Sequence, residues 1–210
     1  MVGSRREEAK EERRARIRAA AERLIRQRGD TDFSMRELAA GAGVAFATPF
    51  NLFGSKEGLL ASTLAHRVWP RQESLAIVPA DETATDPIAN VVRFATAAFA
   101  TYTEDEALFR PLLHAVIAQQ TPADGRPQET ATDLWVRCLA PAREAGLLPP
   151  AERGDAQLER ACHLAFRGAL LGWVRGEMTA EVARDDMVFA VGAMVAAARA
   201  GTLADPAAAR

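Results

Sequence analysis

The side chains of this 210-residue chain that could do acid–base, nucleophilic or metal chemistry are few and poorly spaced for it. There are three histidines, His66, His114 and His163, and two cysteines, Cys138 and Cys162. No two histidines have the H-E-x-x-H spacing that puts two ligands on one helical face, and no Cys/His group has zinc spacing. Cys162 and His163 are adjacent, so on a helix they point about 100° apart, the wrong geometry for a thiolate and its base. No glycine-rich phosphate loop and no G-x-S-x-G elbow occurs. A better-organised set lies between residues 36 and 56. Thr48 and Asn51 are its hydrogen-bonding side chains, Phe46 and Ala47 are apolar, and Arg36 and Lys56 are its cations. The chemistry on offer is recognition rather than catalysis.

Such a set needs helices to present it, and the composition supplies them. Alanine, the best helix former, occurs 45 times, while valine and isoleucine together occur 18 times. An all-β fold is excluded and a parallel α/β sheet disfavoured. Ile17, Ala20, Ala21, Leu24 and Ile25 mark one helical face, ended by Gly29 and Asp30. Ser34 with Glu37 three residues on is a capping box, and Phe33 with Leu38 a hydrophobic staple, so a second helix starts there. Gly41-Ala42-Gly43 breaks it after about two turns, and Gly43 can take the positive φ of a sharp turn. A third short helix is expected between Val44 and Phe53, and Ser55 can cap a fourth. Beyond it the pattern predicts helices near 56–76, 87–102, 105–120, 128–145, 156–177 and 180–201. Breaks fall near 78–87, 121–127 and 146–155, and the tail after Gly201 is expected to fray. Pro70, Pro111 and Pro141 should kink or divide three of these helices. The expected architecture is all-α with about nine helices: a three-helix helix-turn-helix unit in residues 1–54 and a larger helical body in residues 55–210.

The string from Leu38 to Leu60, LAAGAGVAFATPFNLFGSKEGLL, resembles the tetracycline-repressor (TetR) family of bacterial regulators. That family reads roughly A-x-x-A-G-V-S-x-x-T-[LIP]-Y-x-[HY]-F-x-S-K-[ED]-x-L, and the resemblance covers residues 17–60. It implies that Thr48 contacts a phosphate or base and that Lys56 adds charge at the start of the fourth helix. Phe50 stands where the family has a backbone-contacting tyrosine, and Leu52 where it has histidine or tyrosine. Ala45 replaces a common N-cap serine. The expected DNA-binding residues are Arg36, Ala45, Phe46, Ala47, Thr48, Phe50, Asn51 and Lys56, leaning on apolar contacts, DNA shape and backbone charge. Arg13, Arg14, Arg16 and Arg18 are further candidates for phosphates, offset by Glu7, Glu8, Glu11 and Glu12.

The same resemblance implies a sensor pocket in the body and a dimer made by the last two helices. His66, Trp69, Phe94, Tyr102, Phe109, His114 and Trp135 are the candidate pocket residues, suited to a neutral or hydrophobic effector. Gly168, Gly172 and Gly176, every four residues on the eighth helix, suggest a close helix approach. With Val188, Gly192 and Val195 of the ninth they form the candidate dimer interface.

Charge agrees with this division. Residues 1–60 carry twelve basic and nine acidic side chains, residues 61–210 fourteen and nineteen. The N-terminus has no signal-peptide core, two cysteines make no disulfide framework, and the longest uncharged apolar run, Met187–Ala198, is too short for a bilayer. The sequence reads as a cytoplasmic homodimeric repressor with no cofactor or metal, bound to a palindromic double-stranded operator and released by a small hydrophobic effector. The competing classes are a protein-interaction module with weakened DNA binding and a small helical enzyme.

Overall fold

The computed structural model describes residues 2–76, 86–119, 131–150 and 157–202. The breaks expected at 78–85, 121–127 and 151–155 and the tail beyond 202 lie outside the described residues. Among the described residues there are nine α-helices and no strand. They are α1 (Val2–Arg28), α2 (Met35–Ala42), α3 (Ala47–Phe53), α4 (Lys56–Ala76), α5 (Pro87–Thr103), α6 (Glu106–Gln119), α7 (Ala131–Glu144), α8 (Gln157–Val174) and α9 (Ala180–Arg199).

Two of these have informative ends. Helix α1 runs through the whole charged N-terminal stretch ahead of the Ile17–Ile25 face. Glu, Arg, Lys and Ala are strong helix formers, and pairs such as Glu7–Lys10 at 3.3 Å support the exposed turns. Helix α8 ends at Val174, so Gly176 lies beyond it, with φ +74° in the turn that stops the helix. The prolines inside α4, α6 and α7 do not divide those helices; each forfeits a ladder hydrogen bond and the helix continues.

The chain packs as two compact units, Met1–Trp69 with Asp105–Pro127, and Pro70–Glu104 with Gln128–Arg210. In the first, α1 packs against α2, α3 and α6 over Ile17, Ala21, Ile25, Leu38, Leu108 and Leu112, all buried. A polar cluster borders that core: Arg26 holds Asp105 at 2.8 Å and Glu22 at 3.1 Å. The Arg26 bond, ahead of the opposing effect of burial, holds the Asp105 carboxyl below its usual range. In the second unit, α8 packs on α9, α9 on α5, and α7 on both α5 and α8. Its core is aromatic, with Phe94 edge-on to Trp135 at 4.9 Å and Phe99 close to Phe166 and Trp173. Glu159, itself buried, is neutralised by Arg143 at 2.7 Å.

Candidate nucleic-acid interface and ligand cavity

Helix α2 begins with the capping box that the sequence predicts. The Ser34 hydroxyl accepts from the Glu37 N–H at 3.1 Å, and the Glu37 carboxylate accepts from the Ser34 N–H at 2.8 Å. Arg28 donates to the same carboxylate at 2.6 Å. The Ser34 N–H first, then Arg28, pull the Glu37 pKa down to about 2. At the other end Gly43 is left-handed, with φ +62°, and the Gly43 and Val44 N–H groups donate back to Ala40 and Ala39. That turn sets α3 across α2. Pro49 and Phe53 anchor α3 by their burial, while Ala45, Phe46, Ala47, Phe50 and Asn51 are exposed and Thr48 is half-buried.

Residues from two other helices hold α3 in place. Arg14 of α1 donates to the Leu52 carbonyl at 3.3 Å, and its guanidinium lies 5.9 Å from the Phe53 ring. Gly58, in the first turn of α4, comes so near the end of α3 that a Cβ there would lie 2.3 Å from the Phe53 carbonyl oxygen. Ser55 caps α4 by accepting from the Gly58 N–H at 3.0 Å. The sequence shows Gly58 only as a glycine in a helix; its role comes from this contact.

The outward face of α3 is apolar and aromatic. Phe46 is 52% exposed and meets Phe50 edge-on at 5.5 Å. The Arg36 guanidinium of α2 lies 5.6 Å from the Phe46 ring, which orients a cation beside the exposed rings. The Lys56 ammonium lies 4.8 Å from the Phe33 ring. Of the four α1 arginines considered for phosphates, Arg18 is unsuited: it is buried and held by Glu11 at 2.5 Å. Arg14 is engaged by α3, and Arg13 and Arg16 are exposed.

The second unit holds a cavity of about 90 Å³ that opens to solvent. Phe94, Tyr102 and Trp135 line it as the sequence suggests; His66, Trp69, Phe109 and His114 belong to the first unit and do not. Sequence reasoning missed Gln72, His163, Phe166 and Arg167. The Gln72 amide donates to the buried Tyr102 hydroxyl at 3.0 Å. Burial pushes the Tyr102 pKa up to about 12, so the phenol stays neutral. The His163 imidazole is held below its ordinary value by burial and then by the Arg167 charge. Burial drives both Cys138 and Cys162 up to about 12, which leaves them inert thiols.

The three glycines read as one stripe have three different settings. Gly168 is exposed with open space around it, Gly172 faces Met178 of its own chain, and Gly176 is the helix stop. Gly192 approaches Val92 and Ile88 of α5, Val195 is fully buried within the subunit, and Val188 is half-buried. The exposed large apolar groups of α8 and α9 are instead Leu164, at 63%, Phe189, at 78%, and Val182, at 48%.

Among the described residues no group of His, Cys, Asp and Glu could hold a metal ion, and no helix is long and apolar enough to cross a membrane. A capped positioning helix, a left-handed glycine turn and a second helix with its outer face free define a helix-turn-helix DNA-binding protein. Residues 17–63 match the model of the bacterial regulatory proteins of the tetR family. Two solved structures have a similar fold. A TetR transcriptional regulator from Rhodococcus sp. RHA1 is 18% identical with a TM-score of 0.59, covering 88% of this chain and 97% of its own. A TetR-family regulator structure from Rhodococcus sp. is 19% identical with a TM-score of 0.52, covering 88% and 99%. No curated protein matches the chain in sequence. Residues 17–63 thus carry the helix-turn-helix of the tetR family of bacterial regulatory proteins, and the chain has the fold of TetR regulators.

Proposed function

We propose that this regulator is a cytoplasmic homodimer that represses transcription from a palindromic operator and is released by a small, largely hydrophobic effector. The observation that carries the reading is the free outer face of α3, presented by a family-matched helix-turn-helix. A two-fold dimer would set two such helices in successive major grooves, roughly 34 Å apart. Leu164 on α8 and Phe189 on α9, both exposed, support a dimer face on those helices, with Gly168 and Val188 beside them. The cavity supports an effector site.

Helix α4 supports a coupling route, since it carries Gly58 against α3 at one end and Gln72 of the cavity wall near the other. The effector must bind the state unable to bind DNA better than the competent one, or it shifts nothing. Selection from a random duplex pool, then anisotropy over a salt series, tests the DNA role. A palindromic consensus and a steep loss of affinity with salt are expected. Lys56→Ala should weaken binding to all sequences and flatten the salt slope. The exposed Phe46–Phe50 pair, short of hydrogen-bond donors, favours a protein-interaction module as the second reading. Failure to enrich any sequence would select it.

A further inference from the structure

The cavity of the second unit has a polarity that an apolar effector alone does not account for. Its body is aromatic, from Phe94, Trp135 and Phe166, and none of its lining residues is an Asp or Glu. Arg167 sits at its wall one helical turn after His163, so both side chains share a face of α8. Arg167 makes no ion pair or hydrogen bond with any described residue. His163 Nδ1 is buried and has no hydrogen-bond partner. Buried polar atoms are normally paired, so an orphan beside an unneutralised cation in a cavity wall asks for a missing acceptor.

We propose that the ligand of this cavity is a small organic acid: one flat apolar group bearing a single carboxylate, its ring among Phe94, Trp135 and Phe166 and its anion at Arg167 and His163. The proposal rests on reading the cavity as the effector site and names the chemistry of that site. A cationic ligand would enter beside Arg167 with no carboxylate to offset its charge, and a polyanion would find one arginine for several charges. A single carboxylate takes two donors from Arg167, beside the neutral His163 ring. Tyr102 remains a neutral phenol and so does not repel the anion.

The test is calorimetric titration of the full chain with phenylacetate, its neutral isostere phenylacetamide and the cation phenethylamine. Phenylacetate should bind roughly ten- to a hundredfold tighter than the amide, the span of a charge-assisted hydrogen-bond set, and the amine should not bind. Arg167→Gln, at an exposed and unpaired position, should fold normally and reduce the acid to the affinity of the amide. It should leave the amide unchanged, and Arg167→Lys should restore part of the difference. Equal binding of acid and amide, unmoved by Arg167→Gln, would overturn the anionic head while leaving an apolar effector site intact. No binding by any of the three at millimolar concentration would also overturn it. Binding of the acid with the Arg167 dependence but no change in affinity for DNA would uphold the ligand class and refute the effector reading.

Discussion

Replacing Gly58 by alanine tests how α3 is held. The new Cβ would lie 2.3 Å from the Phe53 carbonyl oxygen. Ordinary carbon–oxygen approach is about 3.3–3.6 Å, so one helix must shift by roughly 1 Å. The oxygen cannot rotate away, because it belongs to the backbone at the end of α3 and also accepts from the Ser55 N–H at 2.8 Å. Overpacking costs about 1–3 kcal/mol, and a rigid obstacle puts this site in the upper part of that range. Alanine returns up to about 1 kcal/mol of helix propensity. A net loss of about 2 kcal/mol follows, or a fall in melting temperature of about 4–8 °C for a chain of this size. The shift falls on α3, so affinity for DNA should drop more than stability alone explains. Gly41→Ala is the control. Its Cβ would meet only Ala20 Cβ at 3.9 Å, so alanine there should stabilise slightly. Circular-dichroism melts of both variants, with anisotropy on the selected operator, read the two signs. A Gly58→Ala protein that melts at or above the parent and binds DNA equally would refute the reasoning.

Thr48→Ala should lose roughly 1 kcal/mol or more of DNA affinity with unchanged melting, since one hydrogen bond leaves a mostly apolar face; Phe50→Tyr should tighten binding, and an unchanged Phe50→Tyr would mean that α3 docks differently. The charge of Glu37, with its pKa depressed from 4.5 to about 2, stabilises above pH 4.5 and is lost as pH falls toward 2. Glu37→Gln should remove that part of the acid dependence, and parallel melts across this window would show no difference in slope if the capping box contributes nothing. Gly172→Ala should be neutral or stabilising by up to about 1 kcal/mol, because the Met178 methyl it would meet at 2.7 Å is the end of a flexible side chain; a large loss in a thermal melt would contradict this. Leu164→Glu with Phe189→Glu should convert the proposed dimer to a helical monomer in sedimentation, and an undiminished dimer would place the interface elsewhere.

The helix-turn-helix was legible in the sequence because its determinants are local. Ser34 and Glu37 lie three residues apart, and Gly43 takes a conformation that side chains with a Cβ resist, so both announce themselves without knowledge of the rest of the chain. The exposure of Phe46 was not readable in that way: at 100° per residue it falls on the side of Phe53, and it is open to solvent at the N-cap, ahead of the first turn of α3. Only tertiary packing decided what the other glycines do. Gly168, Gly172 and Gly176 share a spacing of four, yet one faces open space, one a methionine and one ends the helix. Gly58, which no motif marks, has the tightest contact. The cavity followed the same logic. Aromatic content pointed to Phe94, Tyr102 and Trp135, but Gln72, His163 and Arg167 are polar residues whose neighbours come from other helices. Whether a histidine is a core filler or an orphan at a cavity wall depends on which helices cross there, and spacing along one helix does not encode that.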